Sequence, residues 1–170
     1  MTEIESAVRE WARGTYPTEA GVELLIRQGR AIYKNAPWIT ENESTAPRMA
    51  SIDVDALLDA SGAWSGGEQR IVRIAASLLG GPPIRLDDEV SGIDRKHLEL
   101  VLAAIAHANG SHEHGDFERD ESGHPIGFRR LETAYPWPGR TTTQARPRGT
   151  AQAPHDVDEV TGTPGVAPTR

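Results

Sequence analysis

Between Trp64 and Gly110 a helix start or stop signal stands at nearly every boundary, and this punctuation constrains the fold more than any other feature of the chain. Ser65 and Glu68 have the spacing of a capping box, in which each side chain takes a backbone N–H of the other residue. Ile71, Ile74, Ala75, Leu78 and Leu79 then fall on one helical face. Gly80-Gly81-Pro82-Pro83 ends that helix, because glycine accepts the left-handed C-terminal conformation and proline cannot continue the helix. Ile84-Arg85-Leu86 alternates once, as a short strand or an extended connector. Ser91, with Asp94 at capping-box spacing, opens a further helix that Gly110 closes; Leu98, Val101, Leu102 and Ile105 are its expected buried face. Two amphipathic helices joined this way need a surface to cover their apolar stripes, and the first sixty residues have to supply it.

Those residues hold two more helices. Thr2 and Glu5 form a second capping box, followed by Ile4, Val8 and Trp11 on one face and Gly14 as the stop. Pro17 suits a helical first turn, and Val22, Leu25, Ile26 and Gly29 repeat at helical spacing. Residues 35–50 read as a surface loop, 51–54 as a short strand, and Leu57-Leu58 as one helical turn before Gly62. Pairing of residues 51–54 with 84–86 would give a minimal two-stranded ribbon. The expected class is therefore mainly α, a domain of about four helices over residues 1–114 with that small ribbon. Glu10, Arg13, Glu19, Glu23 and Arg27 read as solvated helix faces.

Beyond Gly115 the periodicity stops. Residues 115–170 hold seven proline, seven glycine and eight threonine residues, a composition that predicts a disordered tail. An aromatic island, Phe117 to Trp137, and a mildly basic Arg129–Arg148 segment interrupt it. The net charge of −7 argues against broad attachment to nucleic acid, leaving that segment as a weak nucleic-acid contact. The absence of cysteine excludes disulfides and fits a reducing compartment. No apolar run is long enough for a membrane span, and the acidic start Met1-Thr2-Glu3-Ile4-Glu5 lacks the form of an export signal, so a cytoplasmic location is expected.

Ser65-Gly66-Gly67-Glu68-Gln69 resembles the signature loop of ABC-type ATPases, and Asp88-Glu89 follows it at the distance of that family's Walker B pair. Asp94 lies one residue short of the family's D-loop aspartate, so the likeness covers about residues 64–94. It implies that Ser65, Gly66, Gly67 and Glu68 contact a nucleotide and that Asp88 and Glu89 serve its magnesium. No Gly-x-x-x-x-Gly-Lys-Ser/Thr occurs in the chain, so a partner would have to supply the phosphate-binding loop. The plainer reading makes Ser65 and Glu68 a helix cap and Asp88-Glu89 turn acids. Residues 4–114 also resemble small proteins of high-GC Gram-positive bacteria, a group that implies no activity.

His107, His112 and His114 form a His-x-x-x-x-His-x-His pattern at the end of a helix, where the flexible Gly110-Ser111 would let three imidazoles converge on zinc or nickel. Without a metal, the same histidines suit the negative end of the helix dipole. Catalytic motifs such as Gly-x-Ser-x-Gly or His-Glu-x-x-His are absent from the chain. The reading that follows is a non-catalytic protein-binding domain with a protein partner and no cofactor. The ABC-type element and the histidine metal site are its alternatives.

Overall fold

The computed structural model describes residues 1–139 apart from Glu43. Thr2 caps α1 (Glu3–Ala12): its hydroxyl accepts the Glu5 N–H at 3.3 Å, and the Glu5 carboxylate accepts the Thr2 N–H at 2.8 Å. Ile4, Ala7 and Val8 turn the buried face of α1 inward. Gly14, at φ 92°, swings the chain into α2 (Tyr16–Gln28), where Pro17 occupies the first turn and its missing N–H removes nothing.

Helix α2 is the centre of the molecule. Ala20, Val22, Leu24 and Leu25 are wholly buried, because α1, α4 and α6 pack around them. Its contact with α4 is close enough that a Cβ on Gly21 would meet Leu79 Cγ at 2.9 Å and the Ala75 carbonyl oxygen at 3.0 Å.

The ribbon forms with a different partner from the one expected. β1 (Ile39–Asn42) and β2 (Met49–Ile52) pair antiparallel, Ile39 opposite Ile52, so all of β1 and the first two residues of β2 come from the segment read as a loop. Alternation in Met49–Ile52 buries Ala50 and Ile52 toward α1, and Trp38, just before β1, is buried while donating its indole N–H to the Ala31 carbonyl at 2.9 Å. The Leu57-Leu58 turn is part of a full helix, α3 (Val54–Ser61), which Asp53 caps by accepting the Ala56 N–H at 3.0 Å.

Ser65 opens α4 (Gly66–Leu78) through the capping box, with Glu68 accepting the Ser65 N–H at 2.9 Å. Residues 84–86 are not a strand: Leu86 begins the short helix α5 (Leu86–Val90), which carries Asp87, Asp88 and Glu89. The last long helix, α6 (Arg95–Ala108), starts after Asp94 rather than Ser91, since the Asp94 carboxylate accepts the His97 N–H at 2.9 Å. Its buried face is Leu100, Val101, Ala103 and Ala104. Of the expected face only Val101 is buried, while Leu98, Leu102 and Ile105 remain 39%, 38% and 46% exposed. Alanines at 103 and 104 let α6 lie close against α2, and this turns the leucines outward.

The ordered part does not stop at residue 114. β3 (Gly115–Arg119) and β4 (Pro125–Arg130) form an antiparallel hairpin with Phe117 opposite Phe128. A strap then returns to the helices and seats Trp137, 9% exposed, in the core. The tail expectation therefore fails for residues 115–139, because backbone pairing of the two strands and one anchoring tryptophan outweigh the turn-rich composition. Its remainder, with residues 140–148 of the Arg129–Arg148 segment, lies outside the described residues. Among the described residues no helix is long and apolar enough to cross a membrane.

Candidate functional site

A cavity of about 580 Å³ opens between α1, α2, α6 and the strap. Three potential ligands meet on its wall. Glu19 comes from the first turn of α2, where its Oε1 accepts the Gly14 N–H at 2.7 Å, reaching back past the helix start. His107 comes from the last turn of α6, and its Nε2 lies 2.9 Å from Glu19 Oε2. His112 comes from the 3₁₀ turn Ser111–Glu113 that follows Gly110. Gly110, at φ 76°, folds the chain back so that the two imidazoles stack, centroids 4.3 Å apart and 17° from parallel.

One nitrogen or oxygen from each of Glu19, His107 and His112 falls within 4.8 Å of the others. His114 does not join them; it follows the turn as an exposed residue whose carbonyl accepts the Leu131 N–H at 2.8 Å. Tyr16 packs its ring edge-on against both imidazoles, with centroids at 6.3 Å and 5.0 Å, and so supports the pair from the α2 side. His112 Nδ1 is buried without a hydrogen-bond partner. Burial and the neighbouring His107 charge hold the His112 pKa below the ordinary value, so its neutral, ligating form extends to lower pH. Burial opposes ionisation of Glu19, yet the Gly14 N–H and His107 outweigh it and hold that carboxyl below its usual range.

The opposite wall is built on arginine. Glu23 accepts Arg9 Nε at 2.8 Å with one oxygen and Arg27 Nε at 2.6 Å with the other. Burial raises the Glu23 pKa, but the two guanidiniums more than reverse it. Arg27 also donates to the Pro138 carbonyl at 2.7 Å and lies 5.1 Å from the centroid of the Trp137 ring, which fastens the strap. Ser111 fixes the strap's other end: its hydroxyl stands 3.0 Å from the Thr133 hydroxyl and accepts the Ala134 N–H at 3.2 Å. Glu19, Glu23 and Arg27, expected on solvated faces, thus line the cavity.

The residues of the ABC-type resemblance lie elsewhere. Ser65 and Glu68 are occupied with each other, and Glu68 also accepts Arg30 at 2.8 Å. Gly66 and Gly67 form the first turn of α4. Glu89 is buried and clamped by Arg73 at 2.8 Å and 2.9 Å, whereas Asp88 is exposed and its carbonyl accepts the Arg70 guanidinium. The pair therefore sits on a helix braced against α4, not at the end of a strand.

His107 and His112 were visible as candidates because they are close in sequence. Glu19 was not, since 88 residues separate it from His107 and it looks like any first-turn acid. Compared with protein-family models, curated proteins and solved structures, the chain has no significant match.

Proposed function

We propose that this domain binds a divalent transition-metal ion through Glu19, His107 and His112 and presents it to the adjoining cavity. The convergence of one carboxylate and two imidazoles from three separate segments carries the reading. Imidazole and carboxylate suit zinc, nickel and iron(II), and ligand atoms about 2.0–2.2 Å from such an ion lie roughly 3 Å from one another. The 2.9 Å between His107 and Glu19 already has that separation, so His112 is the ligand that must close in. Three protein ligands leave coordination positions open, the pattern of sites that act on small molecules rather than of purely structural ones. The Gly14 N–H on Glu19 would hold that carboxylate in place, as outer hydrogen bonds do at metal centres.

The test is metal-dependent stability. Zinc or nickel added to chelator-treated protein should raise the melting temperature by mass action. His112→Ala and Glu19→Gln should each remove the rise, and His114→Ala should leave it intact. An unchanged melting temperature at saturating metal overturns the proposal.

A second reading, docking of a protein partner, draws on the outward stripe of α6. Leu98, Leu102 and Ile105 repeat at helical spacing and stay more than a third exposed, a pattern suited to an apolar groove. Leu102→Glu should change the stability by no more than about 0.5 kcal/mol while abolishing association, read by sedimentation velocity with a purified partner. Association that survives the charge removes α6 from this reading.

A further inference from the structure

The β3–β4 hairpin carries its largest side chains where nothing among the described residues covers them: Phe117, Ile126 and Phe128 are each more than half exposed. Phe117 and Phe128 stand directly opposite each other and so share one face, where their rings meet edge-on with centroids 5.6 Å apart. The other face is charged, with Asp116 and Glu118 from β3 and Arg129 from β4. Among the described residues neither the Glu118 nor the Arg129 side chain has an ion-pair partner. The sheet has only two strands, so the outer edge of β4 is open. The Leu131 N–H bonds to the His114 carbonyl at 2.8 Å, and the register continues with Arg129 opposite Asp116 and Gly127 opposite Glu118. Hydrogen-bonded pairs alternate along an antiparallel ladder, so the N–H groups of Phe128 and Arg130 point away from β3.

We infer that two copies of the chain join along this edge, β4 against β4 about a two-fold axis at Phe128, into a four-stranded antiparallel sheet ordered β3-β4-β4-β3. Phe128 then pairs with the partner's Phe128, and the phenylalanines of both copies form one apolar strip across the sheet. On the charged face Arg129 falls opposite the partner's Gly127. That glycine leaves space, and a Cβ there would lie only 3.4 Å from Glu118 Oε2. Arg129 can therefore cross it to the partner's Glu118 carboxylate, and the axis makes this ion pair twice. The β3 edge fails the same test. Pairing β3 with β3 about Phe117 sets Asp116 opposite the partner's Glu118, and like charges directly opposite destabilise a ladder. The same acids guard the outer edges of the four-stranded sheet, which closes the assembly at two copies. Antiparallel pairing also sends the two helical bodies to opposite ends of the sheet. The inference needs neither the metal nor the cavity.

Sedimentation velocity on the full chain, with chelator present to exclude metal-bridged association, should show a monomer–dimer equilibrium with a dissociation constant on the order of 10 µM, as suits a small interface. Arg129→Glu and Glu118→Arg should each weaken the dimer about tenfold or more, because two contacts are reversed per dimer. The two substitutions together in one chain should restore it. Both side chains are exposed, so each variant should keep its fold, verified by its melting temperature. The amides of Phe128 and Arg130 should exchange more slowly as protein concentration rises. A chain still monomeric at about 200 µM, a double variant no better than either single one, or dimerisation without protection at Phe128 and Arg130 each overturns the inference. Dimerisation that ignores both charge reversals but is abolished by Leu102→Glu assigns the contact to α6 and overturns it as well.

Discussion

His112 shows how much of this site depends on one side chain's surroundings. It is pressed between His107 of α6 and Tyr16 of α2, with Glu19, Glu113 and Arg130 acting on it from α2, its own turn and β4. Burial and the His107 charge dominate, and its pKa falls below the ordinary 6.5. A depressed folded pKa means that the unfolded chain takes the proton first. Stability is then full above about 6.5, the unfolded value, and is lost as pH falls through the lower folded value. The Glu19 contribution disappears separately, below its unfolded value of 4.5. Chemical denaturation from pH 8 to pH 5 should show the first loss, and His112→Asn should flatten it. An equally steep decline in the variant would place the titration on another group. Sequence alone offered the histidine pair but not this environment, because Tyr16 and Glu19 reach it through tertiary packing.

At the scale of elements, the tightest constraint is the crossing of α2 over α4. Gly21 has no room for a side chain beside Leu79 and the Ala75 carbonyl. Leu79 can rotate away, whereas the carbonyl belongs to a buried helix and cannot move freely. Gly21→Val should therefore cost about 1–3 kcal/mol by overpacking, read from urea denaturation. A neutral result would mean that the two helices separate easily. The capping boxes at Thr2 and Ser65 were legible in the sequence because they are local, spanning four residues each, whereas the cap of α6 was expected at Ser91 and lies at Asp94. The orientation of α6 was not. Its Leu98, Leu102 and Ile105 stripe mimics a core face, and only the alanines opposite, set against α2, decide which side is buried. Strand β1 was missed for a similar reason: Ile39–Asn42 has one apolar residue, and its identity as a strand depends on pairing with Met49–Ile52.

The whole molecule is a helical body with an appended hairpin whose far end returns to the body. The hairpin itself contributes little to the core, since Phe117, Ile126 and Phe128 are 57%, 67% and 65% exposed. What matters is the strap it delivers. Truncation after residue 139 should leave the melting temperature almost unchanged, since Trp137, Pro138 and their contacts survive. Truncation after residue 114 removes Trp137 from the core and should cost about 3–5 kcal/mol, the range for losing a buried aromatic. Equal melting temperatures for the two truncations would show the strap to be energetically idle.

The bond from Arg27 to the Pro138 carbonyl closes a loop of 111 residues, joining the second helix to the end of the described chain. Closing a loop of that length fixes many residues for one contact, so such contacts tend to form late, after the local helices are in place. The cavity that this strap helps to wall is then assembled last. Amide exchange at residues 133–138 should accordingly slow when the cavity is filled, while the centre of α2 exchanges at a rate set by global unfolding.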